Sequence, residues 1–264
     1  MSNPVLLIGC GRMGGSLLKR WRESGAVDRA IVVDPALPSL PGVTVVASLN
    51  DVPGNLPKTI LLAVKPQMLD AVLPGLKERL PPAALVVSIA AGKTLAYFAD
   101  RLGPSVAVVR TMPNTPAAIG RGITVCCAGP NVDAAGRALT DTLLSAVGQV
   151  TWTEDESLMH AVTAVSGSGP AYVFLLIEAL QSAAEAAGLP ADLAARLARE
   201  TVTGSGELAR QSPDDPSKLR ADVTSPGGTT AAALAVLMAD DGLPALMKRA
   251  VAAATARSEE LAKG

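Results

Sequence analysis

Three features of this chain have residue types and spacings that could do chemistry. The first is Gly9-Cys10-Gly11-Arg12-Met13-Gly14, a glycine turn of the kind that seats a diphosphate. Gly9 lets the chain turn sharply, Gly11 offers no Cβ to a pyrophosphate, and Gly14 lets a following helix pack closely on a strand. The second is Asp222-Val223-Thr224-Ser225-Pro226-Gly227-Gly228-Thr229-Thr230, two glycines and several hydroxyls set just before an apolar run. Free N–H groups at such a helix start form a nest suited to a carboxylate. A plainly capped helix would use Ser or Thr there as well, but the doubled glycine, which costs conformational entropy, favours a ligand. The third is Asp34, about twenty residues beyond Gly14. A carboxylate there accepts both hydroxyls of an adenosine ribose and repels a 2′-phosphate, although Asp before Pro35 is also ordinary turn chemistry.

A site that moves hydride to or from an alcohol or ketone needs a side chain to handle the oxygen-bound proton, usually His, Lys or Tyr. Such groups are scarce here. Ser166-Gly167-Ser168-Gly169-Pro170 opens a helical stretch with no lysine before Ala187, and the one histidine, His160, lies beside Leu158 and Val162, where a packed or interfacial role is the commoner one. A C=N substrate relaxes the demand, because a protonated iminium accepts hydride with positioning and one weak proton donor. Cys10 in the glycine turn and the adjacent Cys126 and Cys127 make no disulfide framework, which points to reducing, cytoplasmic surroundings. One histidine and no C-x-x-C predict no metal site.

These groups need elements to hold them. The buried run Val5–Ile8 reads as a strand feeding the glycine turn and a helix over 13–23 whose free N–H groups and positive dipole end would face the diphosphate. Ala30–Val33 is a second strand, ending at Asp34. Strands over 43–46, 59–64, 84–89 and 106–109 alternate with helical segments, as a doubly wound, mostly parallel α/β sheet of the Rossmann type requires. Their ends carry Ala63-Val64-Lys65-Pro66, Ser88-Ile89-Ala90-Ala91-Gly92 and Arg110-Thr111-Met112-Pro113-Asn114-Thr115-Pro116. Strand ends are where such sheets bind ligands, and small residues, prolines and one amide suit a flat nicotinamide ring; each also reads as turn chemistry. Segments 123–127, 132–146 and 149–152 finish the sheet. Beyond Asp155 alanine-rich helices follow at 156–164, 171–187, 191–210, 229–239 and 243–261. The expected domains are therefore 1–154, dinucleotide-binding, and 155–264, all-α. The helices over 171–177 and 231–238 are apolar on more than one face, so they predict an obligate homodimer that interleaves them.

The totals exclude other classes. The 264 residues are enough for two cores. Twenty-three basic against 24 acidic residues give a net charge of -1, and 2% are aromatic, which leaves neither the electrostatic footprint nor the stacking platforms that nucleic-acid binding uses. No membrane segment is expected, on the reading that no apolar run approaches the roughly 18 to 20 residues that span a bilayer. The first strand begins too early for a secretory leader to precede it, which again predicts a cytoplasmic protein.

Taken together, Gly9 to Gly14, Ala63-Val64-Lys65-Pro66, Met112-Pro113-Asn114-Thr115-Pro116, Ser166-Gly167-Ser168-Gly169-Pro170-Ala171-Tyr172 and Ser225-Pro226-Gly227-Gly228-Thr229-Thr230 resemble pyrroline-5-carboxylate reductase, in order along nearly the whole chain. The resemblance implies a Rossmann domain followed by a helical dimerisation domain, with dimers often arranged as a decamer. It implies reduction of (S)-1-pyrroline-5-carboxylate to L-proline by NADPH or NADH. Carried over by position, Gly9, Cys10, Gly11, Arg12, Met13 and Gly14 would hold the pyrophosphate and Asn50 the adenosine half. Ala63, Val64, Lys65, Pro66 and Asn114 would line the nicotinamide side. Ser225 with Gly227, Gly228, Thr229 and Thr230 would bind the substrate carboxylate, the Thr230 hydroxyl partnering the imine nitrogen. Family members that favour NADPH tend to carry small hydroxyl residues where this chain has Asp34, so NADH use is expected. The rivals are another two-domain NAD(P)-dependent imine or hydroxy-acid dehydrogenase, which a Lys or His facing the nicotinamide would favour, and a non-catalytic NAD(P)-sensing dimer, which would bind the cofactor without consuming it.

Overall fold

The computed structural model describes residues 4–263. Short β-branched and aliphatic runs make the strands, those at the heart of the sheet buried on both faces. β1 (Val5–Ile8) feeds α1 (Arg12–Ser24), which turns Leu17, Leu18 and Trp21 onto the sheet; the Trp21 indole N–H donates to the Leu143 carbonyl at 2.7 Å. Then follow β2 (Ala30–Val33), β3 (Thr44–Val46), β4 (Thr59–Leu62), α2 (Leu69–Arg79), β5 (Leu85–Ser88), α3 (Leu95–Leu102), β6 (Ala107–Met112), β7 (Gly122–Ala128), α4 (Ala134–Ser145) and β8 (Gly148–Thr153). They form one sheet in the order β3-β2-β1-β4-β5-β6-β7-β8. The strands from β3 to β6 run parallel, β7 pairs antiparallel with β6, and β8 runs parallel to β7.

Register sets the ligand edge. Ile8 lies opposite Val33 and Leu62, Leu62 opposite Ser88, and Ser88 opposite Arg110. The parallel strands therefore finish in step, and the glycine turn, Asp34, Ala63 and the segments after Ser88 and Arg110 share one edge. Alternate side chains fill two cores, one holding Leu6, Ile8, Leu62, Leu73 and Phe98, the other Leu7, Leu17, Trp21, Leu61 and Leu143.

Beyond β8 the chain departs from the sequence expectation in three ways. The helix expected at 156–164 is broken into a 3-10 turn (Glu156–Leu158), the single turn α5 (Met159–Val162) and a π turn (Thr163–Gly167). α6 (Gly169–Ala186) and α7 (Ala191–Gln211) lie near their expected places, but α8 (Pro216–Asp222) is an addition; α9 (Thr229–Leu237) and α10 (Leu243–Lys263) follow. The chain forms two compact units, one running to Gly167 and taking back the residues from Ala254, the other Ser168–Ala253. Segment 155–167 thus packs with the sheet, although the composition changes at Asp155. The cause is polar as well as apolar: buried Arg110 bonds Glu156 at 2.8 Å, the same Glu156 oxygen accepts the Leu95 N–H at 2.8 Å, and Met159 and Ala164 are buried.

The expectation of no bilayer-length apolar run also needs correcting. Glu156–Ala186 is one stretch long and apolar enough to cross a membrane by length and composition. Ser, Gly and Pro between 166 and 170 interrupt the apolar pattern of the sequence without ending the helical path, because Pro170 falls in the first turn of α6, where its missing N–H costs nothing. Within one chain α6 is open, with Phe174 58% and Leu175 62% exposed.

Candidate active site

The glycine turn is built by close approach. Gly9 adopts φ +90°, and a Cβ there would come within 2.8 Å of the Ala63 and Val64 backbone; a Cβ on Gly14 would lie 2.3 Å from the Gly9 carbonyl oxygen. Both glycines serve the fold. Gly11 differs, since nothing lies within 4 Å of a Cβ built on it. The Gly15 N–H bonds the Gly11 carbonyl at 2.7 Å as α1 begins, so the N–H groups of Arg12, Met13 and Gly14 precede the helix ladder and are available to an anion. Open space at Gly11 and unused donors fit a pyrophosphate. Gly11→Ala is expected to lower the melting temperature by no more than a few degrees while raising the KM for the dinucleotide at least about tenfold. Thermal melts and steady-state kinetics would separate the two; an unchanged KM would remove the phosphate from this turn.

Asp34 is tied to the same turn. Its carboxylate accepts the Cys10 N–H at 2.6 Å on one oxygen and the Ala36 N–H at 2.9 Å on the other. Sequence reading placed Asp34 beside the ribose and missed this bond, which joins residues 24 apart in sequence. Burial first, then the Asp34 charge, push the Cys10 thiol above its ordinary value, which keeps it neutral beside the anion position. Arg12 is exposed at the first position of α1, and Met13 packs against the core. Asn50 is exposed on the 3-10 turn Leu49–Asp51, which the Ser48 hydroxyl steadies by donating to the Asp51 carboxylate at 2.7 Å.

Ala63 continues the ladder, its N–H donating to the Ile8 carbonyl at 2.7 Å. Ala63 and Val64 are half-buried, Lys65 is exposed, and Pro66 opens a 3-10 turn (Pro66–Met68). The Asn114 side-chain oxygen accepts the Ile123 N–H at 2.9 Å, so its NH2 is the half left to a ligand. Two hydroxyls of the strand-end motifs, given no role by the sequence, hold these ends. Thr111 donates to the Ser88 carbonyl at 3.0 Å, and Ser88 Oγ accepts the Ala90 N–H at 3.2 Å. Gly167 of the π turn lies against Met112, and the neighbouring Ser166 Oγ is buried without a partner.

The second turn belongs to the other unit. Ser225 to Gly228 closes with the Gly228 N–H donating to the Ser225 carbonyl at 3.0 Å, Pro226 second and Gly227 third at φ +71°, the pattern of a type II turn. A Cβ on Gly228 would sit 3.1 Å from the Ser225 oxygen. Turn geometry therefore requires Gly227 and leaves little room for a Cβ at Gly228, and the carboxylate reading rests on donors and hydroxyls. The Gly228 N–H, expected to hold a carboxylate, is used within the turn. The Ala232 N–H to the Gly228 carbonyl at 3.2 Å is the first bond of α9, which leaves Thr229, Thr230 and Ala231 with N–H groups ahead of the ladder. Ala231 is a donor the sequence reading missed; counting the three N–H groups that follow a cap at Gly228 would have found it.

His160 packs, its Nδ1 lying 3.0 Å from Ser258 Oγ. All three cysteines are free, and burial pushes the Cys126 thiol up to about 12.

Comparison with known proteins agrees along the chain. Residues 156–261 match the family model described as pyrroline-5-carboxylate reductase dimerisation, and residues 4–92 one described as NADP oxidoreductase, coenzyme F420-dependent. The chain is 41% identical over 270 residues to pyrroline-5-carboxylate reductase of Pseudomonas aeruginosa, covering 100% of this chain and 98% of that protein. It is 38% identical to the Pisum sativum enzyme, covering 96% and 94%. Among solved structures, a Coxiella burnetii pyrroline-5-carboxylate reductase superposes with a TM-score of 0.92 at 35% identity, covering 100% of this chain and 99% of that one. The Plasmodium falciparum pyrroline carboxylate reductase with NADP bound superposes at 0.85 and 28%, covering 99% of each. Matched from end to end by these enzymes, the chain belongs to the pyrroline-5-carboxylate reductase family.

Proposed function

We infer that this chain reduces (S)-1-pyrroline-5-carboxylate to L-proline with NAD(P)H, the final step of proline biosynthesis. The observation that carries the reading is the full-length match to reductases of this name. NAD(P)H supplies the hydride. The chain's own part is binding and orientation: the N–H groups of Arg12, Met13 and Gly14 hold the pyrophosphate, Asp34 the ribose, Asn50 the adenosine half, and Ala63 to Pro66 with Asn114 the nicotinamide side. In the helical half, taken as 155–264 by function, the Ser225 hydroxyl and the N–H groups of Thr229, Thr230 and Ala231 hold the substrate carboxylate, and the Thr230 hydroxyl partners the imine nitrogen. A hydroxy-acid dehydrogenase would need a His or Lys base, and His160 is engaged with Ser258. Following NADH and NADPH oxidation separately with pyrroline-5-carboxylate tests this: turnover with either supports the reductase, while cofactor binding without turnover supports a sensor.

We also infer a homodimer through the helical half, supported by the dimerisation model over 156–261 and the open apolar face of α6, with dimers gathered into a decamer as the resemblance implies. Light scattering is expected to return twice the chain mass or a multiple of it; a stable monomer at micromolar concentration would overturn this. Free cysteines accord with the cytoplasm.

A further inference from the structure

We propose that the last turns of α10 hold the loop after β5 in place for the cofactor, with His160 and Ser258 as positioning residues; this rests on reading the glycine-turn edge as the dinucleotide site. The residues from Ala254 onward pack with the sheet. Ser258, 6% exposed, is the polar anchor, its Oγ 3.0 Å from His160 Nδ1. The far side of that anchor is rigid: His160 follows buried Met159, and Glu156 is bonded both to buried Arg110 and to the Leu95 N–H.

One turn beyond Ser258, the Leu261 backbone and Cβ lie 3.7 to 3.9 Å from a Cβ built on Gly92. Gly92 is buried at φ +77° midway along the loop between β5 and α3. That loop lies on the ligand edge, between the ends of β4 and β6. Its hydrogen bonds sit at its two ends: Ile89 N–H to the Leu62 carbonyl at 3.1 Å and Ala90 N–H to Ser88 Oγ at 3.2 Å where it leaves β5, and Tyr97 N–H to Thr94 Oγ1 at 3.1 Å where α3 begins. Ala91 is exposed, so between those two ends the loop is backed by the helix lying on Gly92. Loss of the His160–Ser258 contact frees that helix end, and the loop loses its brace while the glycine turn and the Ser225 turn keep theirs.

The test compares wild type, Ser258→Ala and a chain ending at Glu260, each full-length otherwise. NADH binding is titrated by its own fluorescence, and kcat and both KM values are measured alongside. Both variants are expected to weaken NADH binding and raise its KM about fivefold, the lower end of typical coupling between sites, with kcat and the imine KM within about twofold. Wild-type NADH affinity in both variants, or a joint fall of all parameters as from general unfolding, would overturn the proposal. The same titration with NADPH runs beside it: a wild type that binds NADH or NADPH without consuming either refutes the reductase reading alone, and one that binds neither refutes both.

Discussion

Asp34→Ser is expected to shift the ratio of kcat/KM for NADPH to that for NADH at least about tenfold toward NADPH, from a wild type that prefers NADH. Two backbone N–H groups, of Cys10 and Ala36, fix the Asp34 oxygens at the end of β2, so the charge cannot swing to solvent when a 2′-phosphate arrives. Two unit charges about 4 Å apart repel by about 4 kcal/mol at an effective dielectric of about 20. The edge is half-exposed and salt screens much of that, but about 1.4 kcal/mol is enough for a factor of ten. The serine also gives up bonds to the glycine turn, so Asp34→Asn is the control, keeping an acceptor for Cys10 without the charge. If charge decides the preference, Asn shifts the ratio nearly as far as Ser. Initial rates with each cofactor at saturating imine measure this, and a wild type already favouring NADPH would remove Asp34 as the selector.

The parallel strands β1, β2, β4 and β5 were legible because each is buried on both faces and so reads as an unbroken β-branched or aliphatic run. β6 was cut short at 109 because Arg110 looks like a strand's end. It continues to Met112 because Arg110 meets Glu156, 46 residues on, and no local pattern announces such a partner. The π turn at Thr163–Gly167 and the short, exposed α8 left no hydrophobic periodicity to read. In the candidate site, spacing alone found both turns but not which of their glycines the backbone itself needs. Gly227 and Gly228 read as ligand glycines, and the turn itself requires Gly227 at φ +71° and leaves a Cβ on Gly228 only 3.1 Å from the Ser225 oxygen; Gly11 is the glycine around which a Cβ would find open space.

Thr230→Ala is expected to lower kcat at least about tenfold, the scale of losing a positioned proton partner, while leaving NADH affinity unchanged. Thr230 is the second residue of α9, half-buried, and its N–H belongs to the unladdered helix start. Alanine keeps that N–H and the Gly228 cap, so the carboxylate site stays, and alanine's better helix propensity makes a loss of stability unexpected. The effect should therefore fall on kcat with little change in the imine KM, because the hydroxyl meets a nitrogen that becomes a basic amine only as hydride arrives. Thr230→Ser, which restores the hydroxyl without the methyl, should recover most of the rate. Turnover unchanged by Thr230→Ala would assign the proton to solvent and leave α9 a binding element only, whereas a raised KM at constant kcat would move Thr230 into the carboxylate site with Thr229.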